Sequence, residues 1–215
     1  MSDGDIFGVF AYPDSDVRAI KSDLFDRVED SSVLSESVAE RIIASSKNDR
    51  YFYTVDAPEY APDEPHITVT PRLPCLVLRR DESGVRQAEE PGRDEYVDLF
   101  AVIYEHLPEC PAAGYILDGD QSGGLIDGTN YYEHPITAAS LANEQFNDAA
   151  WVMLFPPALA DAYGIQGLQQ LPIRRFDELA DGAVLIVAPG DPTLSTEWRE
   201  IASELGTPAA DSRPF

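Results

Sequence analysis

Lysine is nearly absent from this sequence. Lys21 and Lys47 are the only lysines, and 15 basic residues stand against 39 acidic ones, for a formal net charge of −24. Contacts to phosphate groups need clustered Lys and Arg, so direct binding of nucleic acid is disfavoured. No basic residue occurs between Arg93 and Arg174, a stretch with 12 acidic residues. This stretch is either a solvated surface or the surface that meets a cation or a basic partner.

Cysteines and long apolar runs are also scarce. Cys75 and Cys110 are the two cysteines, which are too few for a disulfide scaffold and fit no metal-binding spacing. No apolar run approaches the roughly 18 residues that a membrane span needs. The first residues, MSDGDIFGVFAY, lack the basic and apolar regions of a secretion signal. We therefore expect a cytoplasmic protein with two reduced thiols and no membrane segment.

Familiar catalytic patterns are missing as well. The sequence contains no GxSxG, HExxH, GxGxxG or GxxxxGK[ST] motif, and its three histidines are scattered. Carboxylate pairs for hydrolysis cannot be singled out among 39 acidic residues. These absences favour a binding protein over an enzyme.

Acidic residues are what the sequence has in excess. The net charge is −8, −10 and −6 over residues 1–72, 73–144 and 145–215, so the acids are spread evenly. Such charge opposes the compact state in dilute buffer, but at molar salt the Debye length falls to roughly 3 Å and the repulsion is screened. The pattern resembles that of proteins from halophilic archaea and predicts adaptation to high salt. An acidic mimic of nucleic acid is the alternative, and the even spread argues against it.

Hydrophobic periodicity predicts a mixture of strands and helices. The predicted strands are 5–12, 50–56, 66–70, 73–79, 114–117, 151–155, 172–176 and 183–188, and the predicted helices are 33–46, 94–107, 137–146, 158–163 and 195–205. Pro71 and Pro74 favour an edge or bulged position for strand 73–79, because proline cannot donate to a sheet ladder. We expect an α+β fold with a mixed, mostly antiparallel sheet and helices packed on one face.

The order of these elements repeats along the chain. We align RYFYTV with WVMLF, PCLVLRR with AVLIVA, and the helix of Tyr96 with the helix of Trp198. This repetition suggests a degenerate tandem of two similar halves. We expect residues 1–215 to form a single compact domain, or two intimately packed halves at 1–111 and 112–206.

The segment from Asp118 to Thr129 contains the candidate metal ligands. Asp118, Asp120 and Ser122 fit the first ligand positions of a calcium-binding loop, and Asp127 follows within the same loop. Thr129 occupies the last position, where such loops have a bidentate glutamate. The alternative is a Gly-rich acidic turn that binds no metal, and no other cofactor is expected.

Aromatic residues beyond this loop are the candidate binding residues. Tyr131, Tyr132 and His134 lie together in YYEHP, and Trp151 opens the strand WVMLF. Tyrosine and tryptophan are favoured anchors of protein interfaces, while an imidazole beside an acid can perform acid–base chemistry. Two hypotheses stay open: a non-catalytic domain that binds a protein partner, and a small-molecule- or metal-binding domain or hydrolase with a site near Asp118–Asp127 and His134.

The C-terminal part resembles immunity proteins of polymorphic-toxin and type VI secretion systems. The segment that carries the resemblance is residues 151–192, WVMLFPPALADAYGIQGLQQLPIRRFDELADGAVLIVAPGDP. It shares their order of an aromatic strand, a proline, a helix ending in YG, the pair LP, a strand, ELADG and an apolar strand. The resemblance implies a non-catalytic protein that binds and blocks a cognate toxin, and it defines no site residues.

Overall fold

A seven-stranded sheet forms the centre of the molecule. The computed structural model describes residues 6–29, 53–56, 75–80, 93–118, 125–126, 129–130, 135–136, 138–190, 201 and 205. The strands are β1 (Ile6–Ala11), β2 (Tyr53–Asp56), β3 (Cys75–Arg80), β4 (Ala113–Asp118), β5 (Leu125–Ile126), β6 (Thr129–Asn130), β7 (Val152–Phe155), β8 (Arg175–Glu178) and β9 (Val184–Val187). The helices are α1 (Val17–Glu29), α2 (Arg93–His106), α3 (Ala138–Ala142), α4 (Pro157–Tyr163) and α5 (Ile165–Gln170).

All neighbouring strands of the sheet are antiparallel. Their order is β2-β3-β1-β4-β7-β9-β8, and β5 and β6 form a separate two-stranded hairpin. The sequence predictions of an α+β fold and a mostly antiparallel sheet are confirmed. None of the helices among the described residues combines the length and apolar character needed to cross a lipid bilayer.

Helix α2 covers one face of the sheet. The ring of Phe100 stacks on the ring of Phe10 in β1, with centroids 4.2 Å apart. Glycines on β1 and β4 make room for this helix, since a Cβ at Gly8 would lie 2.6 Å from Phe100 Cδ2 and one at Gly114 would lie 3.2 Å from Phe100 Cζ. Phe10 pairs with Gly114 across the two strands, so both residues belong to the face that α2 covers.

Helix α4 covers the opposite face. Gly114 pairs with Leu154, which therefore lies on the α2 side, and the next residue, Phe155, points the other way. The ring of Phe155 contacts Tyr163 of α4 at 5.1 Å and Phe146 at 4.9 Å between centroids. The expectation of helices on one face was thus wrong. Strands such as VMLF and VLIV are buried along their whole length, and apolar side chains on both faces require cover on both.

Strand β3 is another correction. It lies between β1 and β2, so it is not an edge strand, and its pairing with both neighbours is continuous. In the sequence, Pro71 and Pro74 precede the first strand residue, Cys75. The prolines therefore remove no ladder hydrogen bond from β3.

Other elements differ in extent from the predictions. Helices α1 and α5 were not predicted, and α3 ends at Ala142, ahead of Glu144 with its left-handed φ of 54°. The predicted helix 33–46 and strand 66–70 lie outside the described residues. Ile201 and Leu205, the described residues of the predicted helix 195–205, are both helical and buried.

The sheet repeats one topology on either side of β4. Moving outward from β4, one side has β1, β3 and β2, and the other has β7, β9 and β8. Helix α1 lies in the connection from β1 to β2, and helices α4 and α5 lie in the connection from β7 to β8. In this topology β7 corresponds to β1. The sequence alignment instead matched WVMLF, which contains β7, with RYFYTV, which contains the start of β2. The division into halves at 1–111 and 112–206 stays a prediction, and one continuous sheet spans both.

Candidate functional site

A cleft of about 390 Å³ lies where the C-terminal end of α2 meets the turn between β8 and β9. We call it the α2 cleft. Its lining residues are Tyr104, Glu105, His106, Leu107, Glu109, Cys110, Ala180 and Asp181. Three of these are carboxylates, and neither Lys nor Arg lines the cleft in the part of the chain that the structure describes. The α2 cleft is therefore acidic.

The end of α2 is positioned by its own apolar side and by α1. Phe100, Ile103 and Leu107 are buried against the sheet, which fixes the rotation of the helix. Arg27 of α1 donates from Nη1 to the carbonyl oxygens of Leu107 and His106, at 3.4 and 3.5 Å. A cation beside the last carbonyls of a helix stabilises that end. The C-terminal turn of α2 is thus held against α1.

A hydroxyl, a carboxylate and a thiol meet at the rim of the cleft. Tyr104 donates its hydroxyl hydrogen to Asp181 Oδ2 at 2.6 Å, and its oxygen lies 3.7 Å from Cys110 Sγ. The other oxygen of Asp181, Oδ1, accepts from the backbone N–H of Ala183 at 3.0 Å. Each carboxylate oxygen therefore accepts one hydrogen bond, and Asp181 links the β8–β9 turn to α2.

The surroundings keep the thiol and the phenol neutral. Burial raises the pKa of Cys110, and the negative charges of Asp181 and Glu109 raise it further. The hydrogen bond with Tyr104 lowers this pKa and offsets part of the shift. Burial is also the main cause of the raised pKa of Tyr104, and the hydrogen bond with Asp181 raises this pKa further. A thiol reacts as a nucleophile through its thiolate. The local electrostatics therefore disfavour covalent chemistry at Cys110 near neutral pH.

The loop between α2 and β4 is fastened to the loop after β1. Tyr12 donates its hydroxyl hydrogen to the carbonyl oxygen of Glu109 at 3.0 Å, and Ser15 Oγ donates to Glu109 Oε1. Burial raises the pKa of Tyr12, and the nearby Cys110 and Glu109 contribute further. These contacts fix Glu109 and Cys110 at the rim of the cleft.

His106 completes the cleft wall. Its Nδ1 lies 2.8 Å from the carbonyl oxygen of Val102, and since a carbonyl only accepts, Nδ1 carries the hydrogen. The imidazole is thereby oriented along α2. Together, the carboxylates, the neutral hydroxyl and the thiol suit recognition of a positively charged group.

The residues of the predicted metal site are mostly outside the described part of the chain. Asp118 ends β4, where its backbone pairs with Ile6. Asp120 and Asp127 are not among the described residues. Within the described ranges, no three His, Cys, Asp or Glu side chains are grouped so as to hold a metal ion. Calcium binding at this segment stays a prediction.

The predicted binding residues do not come together in the described part of the structure. Tyr131, Tyr132 and His134 lie outside the described residues. Trp151 is 1% exposed and belongs to the hydrophobic core, and its Nε1 has no hydrogen-bond partner among the described residues. A side chain with so little accessible surface packs the core and offers no anchor to a partner.

Sequence reasoning did not find Tyr104 or Asp181 as site residues. The hydrogen bond between them joins residues 77 positions apart, and no local pattern reports such a contact. Cys110 was noted in the sequence, and its exposure in the structure places it at the cleft. Comparisons with family models, with curated proteins and with solved structures gave no significant match for this chain.

Proposed function

We propose that this chain is a non-catalytic protein-binding domain that acts in the cytoplasm at high salt and receives a basic group of its partner in the α2 cleft. The observation that carries the proposal is the composition of the cleft: three carboxylates and no Lys or Arg among its described lining residues. The charge of the whole chain, −24, has the same sign. An acidic recess on an acidic protein favours a cationic side chain as its occupant.

The state of the polar groups supports binding over covalent catalysis. The raised pKa of Cys110 keeps the thiol protonated, and Tyr104 is held by Asp181. These groups can accept and donate hydrogen bonds without reacting. At molar salt the Debye length is roughly 3 Å, so only groups in direct contact with the carboxylates gain from their charge.

The resemblance to immunity proteins supports a toxin as the class of partner. Residues 151–192 include β7, β8, β9, α4 and α5, and the ELADG sequence within them contains Asp181. The segment that carries the resemblance therefore contributes one of the cleft carboxylates. A toxin that acts on nucleic acid would present the Lys and Arg residues that such a cleft suits.

The experiment is an affinity capture from a native lysate in 2 M KCl, with the partner then purified and its dissociation constant measured. The test variant is Glu105→Gln with Asp181→Asn, which removes two cleft charges while keeping side-chain shape. The matched control is Glu144→Gln with Asp161→Asn, two exposed carboxylates outside the cleft with the same change in net charge. We expect binding to weaken at least tenfold, about 1.4 kcal/mol, in the cleft variant and to be unchanged in the control.

The outcomes test separately where the partner binds and whether the protein binds a partner at all. Equal binding by the cleft variant and the control would mean that the partner binds elsewhere. Loss of binding in a Tyr131→Ala, Tyr132→Ala variant alone would place the interface at the predicted aromatic segment. Failure to capture a stoichiometric partner at any salt concentration would contradict the protein-binding function itself.

The alternative of a small-molecule- or metal-binding domain near Asp118–Asp127 and His134 has no support from the described residues. It has a direct test, because a ligand that binds only the native state raises the melting temperature. Calcium chloride at constant ionic strength is the first probe. A rise in melting temperature that is lost in Asp118→Asn would establish this alternative.

A further inference from the structure

We draw no further inference here: the strongest candidate, the Tyr104–Asp181–Cys110 cluster in the α2 cleft, belongs to the site already described, and no second observation among the described residues points to a ligand for it.

Discussion

At the scale of single residues, the pKa of Cys110 depends on burial, on the adjacent Glu109, and on Asp181, which is distant in sequence. The thiol is exposed at the rim of the α2 cleft, while Cys75 is buried at 5% exposure in β3. Asp181, from the β8–β9 turn, and Glu109, its neighbour in the loop, both disfavour the thiolate. The two cysteines should therefore differ in both accessibility and reactivity.

We expect alkylation of Cys110 by iodoacetamide to follow a pH profile displaced above that of the unfolded chain, because the thiolate is the reacting form. The rate is measured by mass spectrometry on the peptide that carries Cys110, with Cys110→Ser as the assignment control. Asp181→Asn removes one unfavourable charge and should move the profile toward lower pH. Coincident native and unfolded profiles would contradict the prediction.

The same pKa shift has a consequence for stability. The unfolded chain releases the thiol proton at a lower pH than the native chain does, so the free energy of unfolding falls as pH rises above about 8.5, the ordinary thiol value. Below that range both states keep the proton and the contribution is constant. The free energy of unfolding, measured with urea between pH 7 and 10, should decline as pH rises, and the decline should be smaller in Cys110→Ser. An identical decline in that variant would assign the effect to other groups.

Substitution by alanine should have opposite effects on stability at Gly8 and at Gly167. A Cβ at Gly8 would lie 2.6 Å from Phe100 Cδ2, so Gly8→Ala overpacks the core and should destabilise by about 1 to 3 kcal/mol. Gly167 in α5 has no atom within 4 Å of such a Cβ, so Gly167→Ala should stabilise by about 0.5 to 1 kcal/mol. Urea denaturation in 2 M KCl measures both, and a neutral Gly8→Ala would mean that α2 can shift.

At the scale of elements, α2 connects the two sides of the sheet. Its side chains reach β8 and the segment before it through ion pairs of Asp94 with Arg174 and of Asp98 with Arg175, at 2.5 and 2.7 Å. Its last turn reaches the β8–β9 turn through Tyr104. The partners of the ion pairs are about one-third to two-thirds exposed, so salt screens them, while the hydrogen bond of Tyr104 is partly buried.

Among these links, the hydrogen bond should matter most at high salt. Tyr104→Phe removes one hydroxyl and should lower the free energy of unfolding by about 1 kcal/mol. Arg174→Gln breaks an exposed ion pair and should change it by less than about 0.5 kcal/mol. Urea unfolding in 2 M KCl gives both values. A larger effect of Arg174→Gln would show that the ion pair dominates despite screening.

Helix α1 shows why a helix can be missed in the sequence. Among its described side chains, Val17, Ile20 and Leu24 are buried and follow helical spacing, but six charged residues separate and surround them. This helix is therefore less apolar overall than α2, although its apolar residues keep helical spacing. In α2, the predicted stripe Tyr96, Leu99, Phe100, Ile103 and Leu107 is buried throughout. A high content of charged residues therefore hides a helix in the sequence even where its apolar spacing is regular.

At the scale of the whole molecule, charge repulsion opposes a well-packed core. The core includes fully buried residues from both faces of the sheet, such as Val9, Phe10, Leu154 and Phe155. The net charge of −24 raises the free energy of the compact state most in dilute buffer. Stability should therefore depend strongly on ionic strength.

We expect the melting temperature to rise with KCl, steeply at first and then more slowly above about 1 M, where the Debye length is already about 3 Å. Calorimetry or circular dichroism across 0.1 to 3 M KCl measures this. A variant with Asp23→Asn, Asp26→Asn and Asp161→Asn, all at exposed positions, should melt higher than the native chain at 0.1 M and converge with it at high salt. A melting temperature independent of salt would contradict adaptation to high salt.

Several local elements and the acidic character of the protein can be read from the amino-acid sequence without the structure. Apolar runs such as WVMLF and AVLIVA predicted β7 and β9, and the stripe of α2 predicted its buried side, because periodicity depends only on neighbouring residues. Three features emerge only from the folded chain: helices cover both faces of the sheet, Trp151 is buried, and Tyr104, Cys110 and Asp181 line one cleft. Those features arise from contacts between residues far apart in the chain, whose geometry is set by sheet order and helix packing.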